Sequence, residues 1–249
     1  MDIEVAMSSL PPLRDRDDRI TPEEYLSMLW DVVKMKKDLV LCRHFQQFSK
    51  RPIIEGGAGK SKLLIDVWPI DPFNADSFDI SNTSSQFLLQ IACVLHMVRG
   101  WKQRSKMRIF LLEGLRIDDS NSYYSDSIVD SVKKQLQELR IAGSVEVVST
   151  RAARSSVAPS TKDANQHGSE LLNVPESTIS ELNALMKANS SAAGVVFTQL
   201  PPMPHILGVE SDVAAERSRS YVERLQKLTD GLPPTVLALG LHQVTTNKL

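Results

Sequence analysis

Gly56-Gly57-Ala58-Gly59-Lys60-Ser61 is the stretch of this chain that most invites a chemical reading. Glycines followed by lysine and serine can cradle a phosphate. Bare backbone N–H groups approach the anion, and the ammonium adds charge. Such a loop needs a glycine five residues before Gly59, where Ile54 stands. It also needs a helix after the lysine, so that the helix dipole faces the phosphate. Leu63-Leu64-Ile65-Asp66-Val67-Trp68 follows instead and reads as a strand. The sequence therefore predicts an ordinary flexible loop here.

The other chemically suggestive residues fare no better. Asp118-Asp119 lacks the further oxygen ligands that a calcium loop spaces along the chain, and helix capping suits it better. Asp66 and Asp71 flank Trp68 at a strand end, where α/β proteins often place sites. No base or nucleophile can be named beside them, so a structural role is expected. His44, His96, His167, His205 and His242 are dispersed, and His96 reads as a packed or surface residue on a helix. Cys42 and Cys93 sit in apolar runs and read as buried free thiols. Two cysteines alone cannot make a zinc site. There is no Gly-x-Gly-x-x-Gly after a strand, no nucleophile elbow and no His-Glu-x-x-His. Catalytic, cofactor-binding and metal residues are thus all expected to be none, and the chain is not expected to be an enzyme.

Bulk properties narrow the class further. With 29 basic and 30 acidic residues the net charge is -1, and no basic stripe stands out, so no nucleic-acid partner is expected. The longest apolar run, Phe87 to Val98, includes Gln90 and His96. A membrane span needs about 20 mostly apolar residues. The chain is expected to be soluble, and the sequons at Asn82 and Asn189 to be chance matches.

The elements alternate. Residues 1–20 read as a mobile leader whose charge run Arg14–Arg19 is solvated. Thr21, Pro22 and Glu24 then announce a helix through a capping box, with Leu26, Leu29, Trp30 and Val33 on its apolar face. Strands are predicted at 39–42, 63–68, 107–112, 145–148, 194–197 and 235–239. Helices fall between most of them. One carries Phe87, Ile91, Val94, Leu95 and Val98 as its buried face and stops at Gly100. Others show Ile128, Val132, Leu136 and Leu139; Ile179, Leu182 and Leu185/Met186; and Tyr221, Leu225 and Leu228. Residues 150–173 are polar and read as a mobile insertion, with Ser155 a candidate for phosphorylation. Short strands separated by helices predict an α/β fold: a Rossmann-like, mainly parallel sheet covered by helices on both faces.

One combination of motifs resembles a known family. Trp101-Lys102-Gln103-Arg104 leads into Lys106-Met107-Arg108-Ile109-Phe110, and Ile65-Asp66-Val67-Trp68 lies upstream. Leu136 to Val148 and the proline-followed strand Gly194-Val195-Val196-Phe197 complete the set. Together they resemble the C-terminal cytosolic domain of the cation–chloride cotransporters, solute carrier family twelve. Gly231-Leu232-Pro233-Pro234-Thr235-Val236-Leu237 and Val244-Thr245-Thr246 are most similar to the branch of cotransporter-interacting proteins, member nine. The resemblance covers about residues 21–249, most strongly 62–149. It implies a universal-stress-protein-like fold and a regulatory, dimerising role beneath a transporter that couples chloride to potassium or sodium. It also implies a homodimer or association with related cotransporters. The place is the cytoplasmic face of a membrane, reached only through a transmembrane part that this chain lacks. The competing expectation is a free-standing nucleotide-binding, stress-protein-like module.

Overall fold

The computed structural model describes residues 4–6, 20–48, 62–69, 83–113, 123–138, 140–149 and 171–242. The predicted elements are present where described. Helix α1 (Pro22–Lys34) begins with a reciprocal box: the Glu24 amide donates to the Thr21 hydroxyl, and the Thr21 amide donates to the Glu24 carboxylate at 2.8 Å. Two otherwise unpaired amides of the first turn are thereby satisfied. At its other end Lys36 adopts φ 54, and the amides of Lys36 and Lys37 turn back onto Val33 and Val32. Arg140 does the same after the helix Tyr123–Glu138, with φ 55.

Seven strands form one sheet among the described residues: β1 (Glu4–Ala6), β2 (Leu39–Arg43), β3 (Leu63–Trp68), β4 (Ser105–Glu113), β5 (Ser144–Ser149), β6 (Ala193–Gln199) and β7 (Thr235–Leu239). Their order is β1-β2-β7-β6-β3-β4-β5. β3 to β7 run parallel. β2 is antiparallel to β7, and β1 runs parallel to β2. The sense of β2 was not readable from its residues, and β1 lies within the stretch read as a leader.

Side chains alternate across the sheet, and each face is covered. One face packs Leu41, Phe110, Val196 and Leu237 against α1, α5 (Glu176–Ser190) and α6 (Ser211–Thr229). The other packs Ile65, Ile109, Phe197 and Val236 against α2 (Thr83–Met97), the single-turn α3 (Arg99–Lys102) and α4 (Tyr123–Glu138). This is the expected Rossmann-like α/β layering. Gly194 matters to it: a Cβ there would lie 2.5 Å from Leu63 Cγ, beside the register shift between Leu64 and Ile65.

Two expectations about α2 need correction. Its buried face is Phe87, Leu88, Leu89 and Ala92 with Ser84 and Ser85, whereas Val94 and Val98 are exposed. The helix is apolar nearly all round at this point, so periodicity offers several faces and packing selects one. Nor does Gly100 end the helix. The break falls at Val98, whose ψ of 131 is extended, and Gly100 lies inside α3. The Gly56–Ser61 loop, Asp71, Asp118, Asp119, Ser155, His167 and Val244–Thr246 lie outside the described residues.

Candidate functional site

In a doubly wound sheet, ligands collect where successive crossovers leave in opposite directions. Here that point lies between β3 and β6. From β3 the chain moves outward to β4 and β5, then returns across the sheet to β6 and β7. The carboxyl ends of β3 and β6 present Trp68, Pro69, Thr198 and Gln199.

The protein's own side chains fill this position. The Gln199 amide donates to the Pro69 carbonyl, and also to Ser85 Oγ at 2.7 Å. Ser85, in the first turn of α2, donates to the Pro69 carbonyl at 2.6 Å. Its neighbour Ser84 donates to the Gly240 carbonyl at 3.2 Å and accepts from the Gly240 amide at 3.0 Å. A Cβ on Gly240 would stand 2.5 Å from Phe87 Cβ, so α2 sits hard against the end of β7. The start of a helix here could otherwise face an anion. Its hydroxyls instead close inward, and Ser85 has no histidine or carboxylate among its described hydrogen-bond partners to make it a nucleophile.

On the other face of the sheet a small cavity lies under α5 and α6, lined by Trp68, Phe110, Leu112, Leu182, Met186 and Thr198 among others. Its lining is mainly apolar, with Thr198 and Gln199 the polar members. Trp68 stacks on Phe110 at 4.5 Å between ring centroids, and its indole N–H donates to Ser190 Oγ at 3.2 Å.

Asp66 has the structural role expected of it. It is fully buried and directly opposite Arg108 in the β3–β4 register. Arg108 donates to both carboxylate oxygens, from Nε at 2.8 Å and from a terminal nitrogen at 2.6 Å. That same nitrogen donates to the Asn189 carbonyl at 2.9 Å, and the other terminal nitrogen lies 3.7 Å from a carboxylate oxygen of Glu146 on β5. The guanidinium also sits 5.0 Å over the Phe110 ring. Its hydrogen bond to Asp66 holds Arg108 more firmly protonated than usual. The arrangement is a bidentate clamp joining β3, β4, β5 and α5.

The four described histidines are not brought together. His44 meets the Thr229 carbonyl at 3.0 Å, and His205 packs edge-on against Trp30. His242 lies 3.4 Å from Asp38. His96 Nδ1 is 2.8 Å from Ser105 Oγ, a distance at which a base could activate a nucleophile. However, Ser105 spends its proton on the Trp101 carbonyl at 2.7 Å, so the imidazole must be the donor to it. Cys42 and Cys93 are free, and partial burial pushes both thiols up. Such thiols are poor nucleophiles. Among the described residues no group of three or more His, Cys, Asp or Glu could hold a metal ion. No described helix is long and apolar enough to cross a membrane.

Comparison with known proteins supplies what the geometry does not. No family model matches the chain. It is 31% identical over 256 residues to solute carrier family 12 member 9 of Danio rerio, taking in all of this chain and 26% of that protein. It is 31% identical over 246 residues to solute carrier family 12 member 9 of Xenopus laevis, covering 96% of the chain and 25% of that protein. With the Homo sapiens member 9 protein the identity is 33% over 118 residues, 45% of the chain and 13% of the relative. The chain thus spans about a quarter of the length of the relatives it matches throughout. That likeness agrees with the branch to which its motifs pointed, and the chain belongs to solute carrier family 12, with the member 9 proteins.

Proposed function

We propose that this chain acts as a regulatory and assembly domain on the cytoplasmic side of a membrane cation–chloride cotransporter, and that it catalyses nothing. The observation that carries this reading is full-length similarity to about a quarter of a solute carrier protein, without a membrane-spanning helix among the described residues. The filled switch point supports it. A free-standing nucleotide-binding module would use that crevice, whereas here Gln199, Ser85 and Pro69 close it on one another. The assembly partner is a second copy or the matching domain of a related cotransporter, and chloride with potassium or sodium is the cargo of the parent protein.

Light scattering on the purified chain at micromolar concentration tests assembly. A dimer is expected, and a strict monomer across that range would count against it. Thermal unfolding with millimolar ATP separates the competing module. A ligand bound only by the folded state raises the midpoint by mass action. No rise is expected here, and a clear rise would favour nucleotide binding.

A further inference from the structure

The C-terminal half of α2 leaves an apolar stripe uncovered. Val94 is 66% exposed, Met97 64% and Val98 51%. Val94 and Met97 are three residues apart and share one side of the helix, and Val98, where the helix breaks, carries the exposed apolar run just past its end. Cations follow at once: Arg99 and Lys102 on α3 are exposed, and so is Lys106 at the start of β4. The fold adds Lys62, also exposed, because the Leu63 amide donates to the Arg104 carbonyl at 2.8 Å and draws β3 alongside. No aspartate or glutamate occurs anywhere from Thr83 to Leu112. In a chain of net charge -1 this edge is therefore locally cationic and apolar together. Chain order hides the cluster, because Lys62 is far from Lys102 in sequence.

We infer that this edge is a docking surface for an anionic lipid bilayer. The three apolar side chains enter the headgroup boundary, and Arg99, Lys102 and Lys62 meet lipid phosphates. Charge complementarity selects this occupant over a second copy. Two copies meeting edge to edge would set Arg99 and Lys102 of one against those of the other, and like charges repel. The apolar area is also small. Three side chains fall well short of the roughly 800 Å² per partner that a stable protein interface buries. This surface is separate from the assembly role proposed above, and neither requires the other.

The test is sedimentation of the full chain with vesicles of pure phosphatidylcholine and with vesicles of phosphatidylcholine and phosphatidylserine in equal parts. Binding to the anionic vesicles alone is expected, and it should weaken as salt shortens the screening length. Arg99→Gln with Lys102→Gln should lower the partition roughly tenfold to thirtyfold, at about one cation's worth of surface attraction each. Val94→Ser with Met97→Gln should lower it by about tenfold. Arg219→Gln, on the exposed side of α6, should leave it unchanged. All of these are surface positions, and circular dichroism confirms that each variant is folded. Equal binding to both vesicle types, or equal loss with Arg219→Gln, would overturn the inference. So would a dimer that Met97→Gln dissolves while the chain ignores vesicles, which would assign the stripe to a second copy.

Discussion

Replacing Arg108 by methionine should be among the most damaging single changes in this protein. Asp66 is fully buried in an interior strand and accepts two short hydrogen bonds from Arg108. Hydrogen bonds to charged groups are worth about 1.5–3 kcal/mol each. Breaking a buried ion pair from one side costs about 3–5 kcal/mol, because the remaining charge has lost both water and partner. Arg108→Met should therefore cost roughly 3–5 kcal/mol. Asp66→Asn leaves Arg108 its bond to the Asn189 carbonyl and its approach to Glu146, so it should cost about 1–3 kcal/mol. Asp66→Leu with Arg108→Met removes both charges and should recover most of the single-mutant loss, since an apolar pair of similar volume is often nearly neutral. Urea unfolding followed by tryptophan fluorescence reads all three. Trp68 reports directly, because it stacks on Phe110 beside the clamp. An Arg108→Met cost below about 1 kcal/mol, or a larger cost for Asp66→Asn, would refute the view that Asp66 depends on Arg108 for its burial.

Other changes probe separate parts of the fold. Tyr221 is completely buried and its hydroxyl donates to the Pro201 carbonyl at 2.8 Å, so Tyr221→Phe should cost about 1–2 kcal/mol in chemical unfolding. Burial pushes this phenol well above its ordinary value, so the folded protein holds the proton longer than the unfolded chain does. Stability should be intact below pH of about 10 and fall above it, and Tyr221→Phe should flatten that alkaline loss in pH-dependent melts. Thr21 lowers the Glu24 carboxyl through its amide and hydroxyl, so that contribution is present above pH of about 4.3 and lost as pH falls below it. Thr21→Ala should weaken this acid dependence and cost about 1 kcal/mol for the cap itself, both visible in thermal scans. Gly240→Ala forces a Cβ against Phe87 and should lower stability by about 1–3 kcal/mol. Lys36→Gly should raise stability by up to about 1 kcal/mol, because glycine takes the left-handed conformation without strain.

Much of this architecture was legible because local signals agree with the fold. The Thr21-Pro22-Glu24 box, Leu26, Leu29 and Trp30 on the inner face of α1, and strands β2 to β7 were all placed from residue type and spacing, whereas Tyr25 and Val32 join that face where Val33 was expected. What escaped reading depends on partners far along the chain. Asp66 and Arg108 are 42 residues apart, and only the β3–β4 register makes them neighbours. Phe87 to Val98 shows apolar residues on several sides, so the sequence could not tell Leu88 from Val94 as the buried one. The left-handed turns at Lys36, His44 and Arg140 lack the glycine that would have announced them. Of the site, its place at a strand's carboxyl end beside Trp68 was legible from the α/β alternation. That Gln199 and Ser85 close the crevice was not, since neither residue belongs to a recognisable pattern and they are 114 positions apart.

The Asp66–Arg108 clamp has a consequence for how the sheet finds its alignment. Parallel strands rich in Ile, Leu and Val can slide past one another, because most offsets still bring oil against oil. A slip of one residue between β3 and β4 would turn the carboxylate and the guanidinium to opposite faces of the sheet. A slip of two would set Asp66 beside Lys106 or Phe110 instead of its bidentate partner. Only one alignment neutralises the charge and also lets Arg108 reach the Asn189 carbonyl at the end of α5. The pair thus works as a proofreading key, admitting the correct pairing of the first two crossover strands and rejecting the near misses that hydrophobicity alone would tolerate.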